Sequence, residues 1–382
     1  MATHPDKISI LIIAGETSGD MHGASLMSAM KTLNPDLTFF GIGGDRMIAE
    51  GLEPVRHARN MAILGFFEVL KHLRYIYRVY KDLVHLLRTR NPYLIILIDY
   101  PGFNLRFARK SKKLGFRNLY YISPQVWAWK KSRVDQMVKS IDRMLVILPF
   151  ETDIYRKKGL DVHFVGHPLK GNLVSNQTKS RFCEENGLNP EFPIIGLLPG
   201  SRTQEIARLL PEMSRACKMV QNHLPKAQFI VGMAPHLSEH DYLPYLDQAP
   251  VRLVEKNTYG VMAHADAVWV ASGTATLETA LLGTPMVICY KMSPLTYYLG
   301  RLLVHIQYIG LVNIVAEKMI ATELIQNRAN AREMARTILP LITDEFYRNQ
   351  IIAELNRVSD HLGEPGASKR AAALALEMIA GD

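Results

Sequence analysis

The segment LLPGSR (197–202) sets Gly200, Ser201 and Arg202 where an apolar run gives way to a helical pattern beginning near Thr203. A helix start offers unpaired backbone N–H groups and the positive end of its dipole to an anion. The Arg202 guanidinium adds a planar double donor that matches phosphate oxygens. The plain alternative is an ordinary strand–helix turn with a solvated arginine. VWVASGTATLETALLGTPMV (268–287) repeats the arrangement. Its apolar run ends at Ala271, and Ser272, Gly273, Thr274, Ala275 and Thr276 follow as a tight turn with hydroxyl donors. Glu278 falls in the first turns of the next helix. A diphosphate resting on that N-terminus leaves the Glu278 carboxylate to accept ribose hydroxyls. An N-cap with a dipole-favoured glutamate explains the same residues without a ligand. Two such turns in successive βα units of one sheet favour the ligand.

A third turn opens the chain in ILIIAGETSGDMHGASL (10–26). It has neither the G-x-G-x-x-G fingerprint nor the G-x-x-x-x-G-K-[ST] of a P-loop. Gly15 and Gly19 permit close backbone approach, and Glu16, Ser18 and Asp20 supply polar groups, so the loop suits a second substrate. In LIILIDYPGFN (94–104), Asp99 ends a strongly apolar strand. A carboxylate there points towards a ligand site, where desolvation raises its pKa and makes it a candidate general base. An N-cap or a salt-bridged structural aspartate is the alternative, and His22 and His167 are rival bases. No Asp-x-Asp pair occurs in the chain. Metal-dependent enzymes of activated sugars use such a pair to bridge Mg²⁺ to the diphosphate. The expectation is therefore no metal and no cofactor, with helix dipoles and Arg202 stabilising a leaving diphosphate. The His and Cys spacing gives no zinc site.

The elements that must position these turns are legible as apolar runs alternating with helical patterns. Ile8–Ala14, Leu37–Ile42, Tyr93–Asp99, Asn118–Ser123, Met144–Pro149 and His163–Gly166 read as buried strands. A second series comprises Ile194–Pro199, Gln228–Met233, Val251–Glu255, Ala267–Ala271 and Met286–Tyr290. Continuous apolar strands separated by helices mean parallel sheets covered on both faces. The polar stretch around 167–192 separates the series, and 382 residues accommodate two domains. The expected architecture is α/β: two Rossmann-like domains, 1–170 and 171–345, facing a cleft, with helices in 346–382 packing back towards the first. Ligands in such sheets bind beyond the carboxyl ends of the strands. The three scattered cysteines suggest no disulfide framework and fit a reducing compartment.

Charge is unevenly spread. Residues 1–180 hold 27 Lys/Arg against 15 Asp/Glu, and residues 181–382 hold 18 against 21. Such asymmetry points one half at an anionic surface or substrate. Residues 61–90 form a helical stripe of Phe66, Val69, Leu70, Leu73, Ile76, Tyr80, Leu83 and Leu87, with Lys71, Arg74, Arg78, Lys81 and Arg88 on another face. For Leu73 to Leu87, a core-facing helix with a solvated charged side is the preferred reading. The leading MAILGFF is apolar all round, which makes Ile63, Leu64, Phe66 and Phe67 candidates for membrane or acyl-chain contact. Arg106 to Arg117 adds six cations in twelve residues. Nucleic acid is the disfavoured partner, because the basic region lacks aromatic platforms and known modules. No leader peptide and no apolar run of about 18 residues is read. A soluble or surface-associated protein inside the cell is expected.

Taken together, these segments resemble the lipid-A-disaccharide synthase family. AGETSGD (14–20), GFFEVL (65–70), ID-x-P-x-FN (98–104), YISPQVWAWK (121–130), LPF-E (148–151), VGHP (165–168), LLPGSR and ASGTATLE (271–278) stand in that family's order and spacing along essentially the whole chain. AGETSGD and SPQVWAW are specific, whereas the two late turns are shared by many GT-B transferases. The resemblance implies a GT-B fold and condensation of UDP-2,3-diacylglucosamine with 2,3-diacylglucosamine 1-phosphate. The products would be a β-1,6 disaccharide 1-phosphate and UDP, made at the inner face of a bacterial inner membrane. It implies Asp99 as the base on the attacking 6-hydroxyl and Arg202 with 272–276 on UDP. Glu278 would lie near the ribose, and Asn313 matches a family asparagine on the donor side. Ser123, Gln125 and Trp127 join the first loop on the acceptor side. The implied partners are the two acylated sugars and an anionic membrane surface, and a homodimer is among the assemblies it admits. Two departures stand out: Gly102, where some members carry a second carboxylate, and GLVNIVAE (310–317) in place of a version containing Pro and Gly.

Overall fold

The computed structural model describes residues 8–61, 66–124, 133–171, 173, 177–246, 249–293, 297 and 307–381, and for 66–73 the backbone alone. The first sheet has seven parallel strands: β1 (Ile8–Ala14), β2 (Leu37–Gly43), β3 (Leu52–His57), β4 (Leu94–Ile98), β5 (Asn118–Tyr121), β6 (Arg143–Val146) and β7 (Asp161–Phe164). Their order is β3-β2-β1-β4-β5-β6-β7. The second has six: β8 (Ile194–Leu198), β9 (Gln228–Gly232), β10 (Val251–Val254), β11 (Ala267–Ala271), β12 (Met286–Tyr290) and β13 (Thr322–Ile325). Their order is β10-β9-β8-β11-β12-β13, again parallel. The central strands are buried on both faces, Leu94–Ile98 and Ile10–Ala14 having no exposed surface. That explains their unbroken apolar sequences.

β3 and β13 lie outside the sequence reading, and both are edge strands. LEPVRH carries a proline and three polar residues, and TELI is four residues with a buried glutamate. The proline and polar residues break the continuous apolar run by which the other strands, including the opposite edges β7 and β10, are read.

The chain divides into one unit of Met1–Pro168 with Leu362–Asp382 and a second of Leu169–His361. The return to the first unit thus falls at Leu362, whereas the sequence reading draws the tail from 346. The helix Glu345–His361 packs with Leu311–Ala316, Thr274–Leu281 and Ala331–Thr343 in the second unit. The last helix, Ala367–Ala380, lies on Thr17–Leu33 in the first. Its Ala371, Ala372 and Ala375 join Ile10, Ile12 and Met27 in one apolar cluster. Small side chains let the two helices approach closely. Arg117 donates to Met378 O at 2.6 Å, a carbonyl that the helix end leaves open, and Arg143 adds a bond to Leu374 O at 2.9 Å one turn earlier.

The helix Phe66–Arg90 buries Val79, Leu83 and Leu87 against the first sheet and exposes Arg74, Arg78, Lys81 and Arg88. Its second half is therefore a core-facing helix with a solvated charged side. Ile63 and Leu64 lie outside the described residues. Phe66 and Phe67 open the helix, and their side chains are not described. No described helix is long and apolar enough to cross a membrane.

Candidate functional site

In the first unit, Ala14 of β1 pairs with Ile98 of β4, so Gly15–Glu16 and Asp99–Tyr100 leave adjacent strands side by side. The contact is tight. A Cβ on Gly15 would lie 2.4–2.7 Å from three atoms of the Tyr100 ring, so only glycine fits there. The Tyr100 hydroxyl is held by Met61 O at 3.0 Å. Asp99 and Tyr100 have φ of 44° and 47°, successive left-handed residues that are not glycine. Such strain persists only when neighbours over-determine it. Asn104, fully buried one turn into the helix Pro101–Lys113, donates to Ile98 O at 3.1 Å and to Asp99 O at 2.8 Å. Tyr120 of β5 donates to the same Asp99 carbonyl, and Asp99 N donates to Tyr121 O at 3.1 Å. Asn104 and Tyr120 thus fix the bend that presents the Asp99 carboxyl, and neither stands among the sequence candidates. Asn104 was legible only as the last letter of ID-x-P-x-FN.

Burial is the main force on the Asp99 carboxyl, with the nearby Glu16 charge adding to it, and together they push its pKa up to about 6. A carboxylate near that value is ionised at neutral pH and still basic enough to take a proton. The rival histidines are poorer bases. Burial lowers His22 to about 4, and burial together with the neighbouring His22 lowers His167 to about 3.

The rest of the first loop splits in two. Glu16, Thr17 and Ser18 are exposed, and Gly19 is buried, with its nearest neighbour Ala14 Cβ 3.2 Å from a Cβ built there. Asp20 faces into the fold. It accepts from Gly44 N at 2.7 Å, Met47 N at 3.0 Å and Arg46 N at 3.1 Å. It therefore caps the short helix Asp45–Ala49, and its carboxylate serves the fold. Ser123 is likewise engaged, donating to the buried Glu151 at 2.6 Å. Gln125 and Trp127 lie outside the described residues.

In the second unit, β8 feeds Gly200–Ser201 into the helix Thr203–His223, with Arg202 at its N-cap. Gly200 has φ 115°, which favours glycine. Glu205, another residue outside the sequence candidates, folds back over this turn. It accepts from Ser201 N at 3.1 Å and pairs with Arg202 at 3.2 Å. An acidic side chain thus occupies the anion-seeking helix start, and its pairing with the exposed Arg202 is a surface ion pair, weak enough to give way to a stronger anion.

The neighbouring turn follows β11 into the helix Thr274–Leu281. Thr276 Oγ1 donates to Gly273 O at 2.8 Å. Ser272 Oγ donates to Ile309 O at 2.9 Å, so its proton is engaged within the fold. Gly273 and Thr274 are exposed and Ala275 is half-buried. Glu278 is half-buried, accepts from the Tyr259 hydroxyl at 3.1 Å, and burial raises its pKa. Asn313 is fully buried with both ends of its amide engaged. Oδ1 accepts from Ile320 N and Ala321 N at 2.8 and 2.9 Å, and Nδ2 donates to Ala321 O and Glu323 Oε1 at 2.7 and 2.9 Å. It organises the loop instead of offering a free amide.

A family model described as lipid-A-disaccharide synthetase matches residues 10–378. The synthase of Syntrophus aciditrophicus is 46% identical over 373 residues, covering 97% of both chains. The chain belongs to the lipid-A-disaccharide synthase family. Members make the lipid A disaccharide by glycosyl transfer, and this chain is a glycosyltransferase of that kind. Solved structures extend the likeness at the level of fold. The calicheamicin glycosyltransferase CalG4 superposes with a TM-score of 0.63 at 16% identity, covering 98% of both chains. The UDP-GlcNAc 2-epimerase of Neisseria meningitidis, solved bound to UDP-GlcNAc, gives 0.63 at 10% identity, covering 98% of this chain and all of that one. The two sheets are those of the GT-B fold.

Proposed function

We propose that this synthase condenses UDP-2,3-diacylglucosamine with 2,3-diacylglucosamine 1-phosphate, giving the β-1,6 disaccharide 1-phosphate and UDP with inversion at the anomeric carbon. The observation that carries the reading is Asp99: a strained, largely buried carboxyl at the end of a central strand, raised to about 6, beside an exposed loop of small and polar residues. Its carboxylate takes the proton of the acceptor 6-hydroxyl as that oxygen attacks the anomeric carbon. The bond from that carbon to the diphosphate breaks, and UDP leaves with the electron pair. Gly15, Glu16, Ser18 and Gly19 line the acceptor side. Gly200, Ser201, Arg202 and the turn 272–276 take the diphosphate, with Glu278 on the ribose. Backbone N–H groups, helix dipoles and Arg202 stabilise the departing charge without a metal. The basic first half and the apolar 63–67 segment meet the anionic inner leaflet, where both acylated substrates reside.

The test is UDP release on mixing the two acylated sugars, with and without EDTA. Stoichiometric UDP that resists EDTA is expected. Release that needs the acceptor but disappears with EDTA removes the metal-free part of the reading, and no release removes the substrate assignment.

A further inference from the structure

We propose that Glu323 is a positioning residue for the donor turn, acting through Ile309 and Ser272. This rests on the reading that the turn 272–276 holds UDP. Glu323 sits on β13 and is almost wholly buried, 6% exposed. Its carboxylate gathers three donors from residues 309–313, two from the loop and one from the helix Leu311–Ala316. Ile309 N reaches both oxygens at 3.1 and 3.0 Å, and Gly310 N and Asn313 Nδ2 reach Oε1 at 2.9 Å each. A carboxylate is acceptor-only, so it suits a cluster of N–H groups as no amide or hydroxyl does. The loop packs closely at Gly310 as well, where a Cβ would lie 2.3 Å from Ile288 Cδ1. The next link is the carbonyl of Ile309, which accepts the Ser272 hydroxyl at 2.9 Å, while Ser272 N donates to Cys289 O at 3.1 Å. Ser272 is thus held at both ends, and the exposed Gly273 and Thr274 that follow inherit its placement. The relay Glu323–Ile309–Ser272 braces from behind a turn whose backbone must face a diphosphate.

Calorimetric UDP affinity and steady-state kinetics of the full-length enzyme test this on Ser272→Ala, Glu323→Gln, their double variant and Arg202→Ala. Each of the first two should weaken UDP about tenfold, the effect of one lost buried hydrogen bond. Each should raise KM for the donor while KM for the acceptor is unchanged. The double variant should be no worse than Ser272→Ala alone, and Ser272→Thr should restore affinity. Multiplicative effects in the double variant, or equal rises in both KM values, overturn the relay. Ser272→Ala keeps the test decisive even if Glu323→Gln folds poorly: unchanged UDP affinity there overturns the proposal. If Arg202→Ala still weakens UDP in that case, the donor-site reading survives and the relay alone falls. If Arg202→Ala is silent as well, both fall.

Discussion

Asp99→Asn should stabilise the protein while disabling it. Asn is isosteric with Asp and never charged. Asp99 has a folded pKa of about 6 against an ordinary 3.8, a rise of about two units caused first by burial and then by Glu16. At 1.36 kcal/mol per unit this is a ceiling of about 3 kcal/mol, and partial solvation reduces it to about 2 kcal/mol. The sign follows from proton binding. Between pH 3.8 and 6 the native carboxyl keeps a proton that the unfolded chain has released. The cost of burying the ionised form is therefore complete above pH 6 and absent below 3.8. The variant should melt about 4–8 °C above wild type at pH 8, on the scale of a domain of this size. The gap should close as the pH falls to 4. Turnover should fall about 10²–10⁴-fold, with donor KM within a few-fold. Scanning calorimetry at pH 8, 6 and 4, paired with kinetics, reads both effects. A variant less stable than wild type at pH 8, or a gap unchanged at pH 4, refutes the buried-base argument. So does turnover within a few-fold of wild type.

The other predictions concern separate parts of the molecule. Glu16→Gln removes the like charge beside Asp99, so the acid limb of the pH–rate profile should move to lower pH, and a limb that stays in place denies the coupling. Arg202→Ala should raise donor KM about tenfold or more and leave acceptor KM alone, as measured by initial rates. Asp20→Ala leaves three backbone N–H groups without their acceptor and should cost about 2–4 kcal/mol in urea unfolding, with little change in KM for either substrate among molecules that fold. Phe66→Ser with Phe67→Ser should weaken sedimentation with anionic vesicles while UDP affinity persists, and undiminished sedimentation argues against a membrane role for that segment.

The sequence made the sheet centres legible because strands such as LIILI are buried on both faces and must be apolar throughout. It hid β3 and β13 because a proline and charged residues interrupt their apolar runs. The turns were visible as Gly, Ser, Thr and Arg at strand ends, and Asp99 as a lone acid after five apolar residues. What each side chain faces was not visible. Asp20 sits in AGETSGD, one of the two specific motifs, yet its carboxylate caps a helix 25 residues on, a contact that depends on the β1–β2 crossover. The sequence offers Asn313 as a donor-side amide, and its burial appears only once Glu323 is placed on β13. Glu205 is not among the sequence candidates, and the space it takes over the LLPGSR turn is left by Gly200, where a Cβ would lie 2.3 Å from its Oε2.

The most direct test of the account is the anomeric configuration and linkage of the product. Wild-type enzyme given the α-linked UDP donor and the acylated sugar 1-phosphate should yield a single β-1,6 disaccharide by NMR, and Asp99→Ala should yield almost none. An α-linked product, a linkage at another hydroxyl, or undiminished product from Asp99→Ala would contradict inversion with Asp99 as the base.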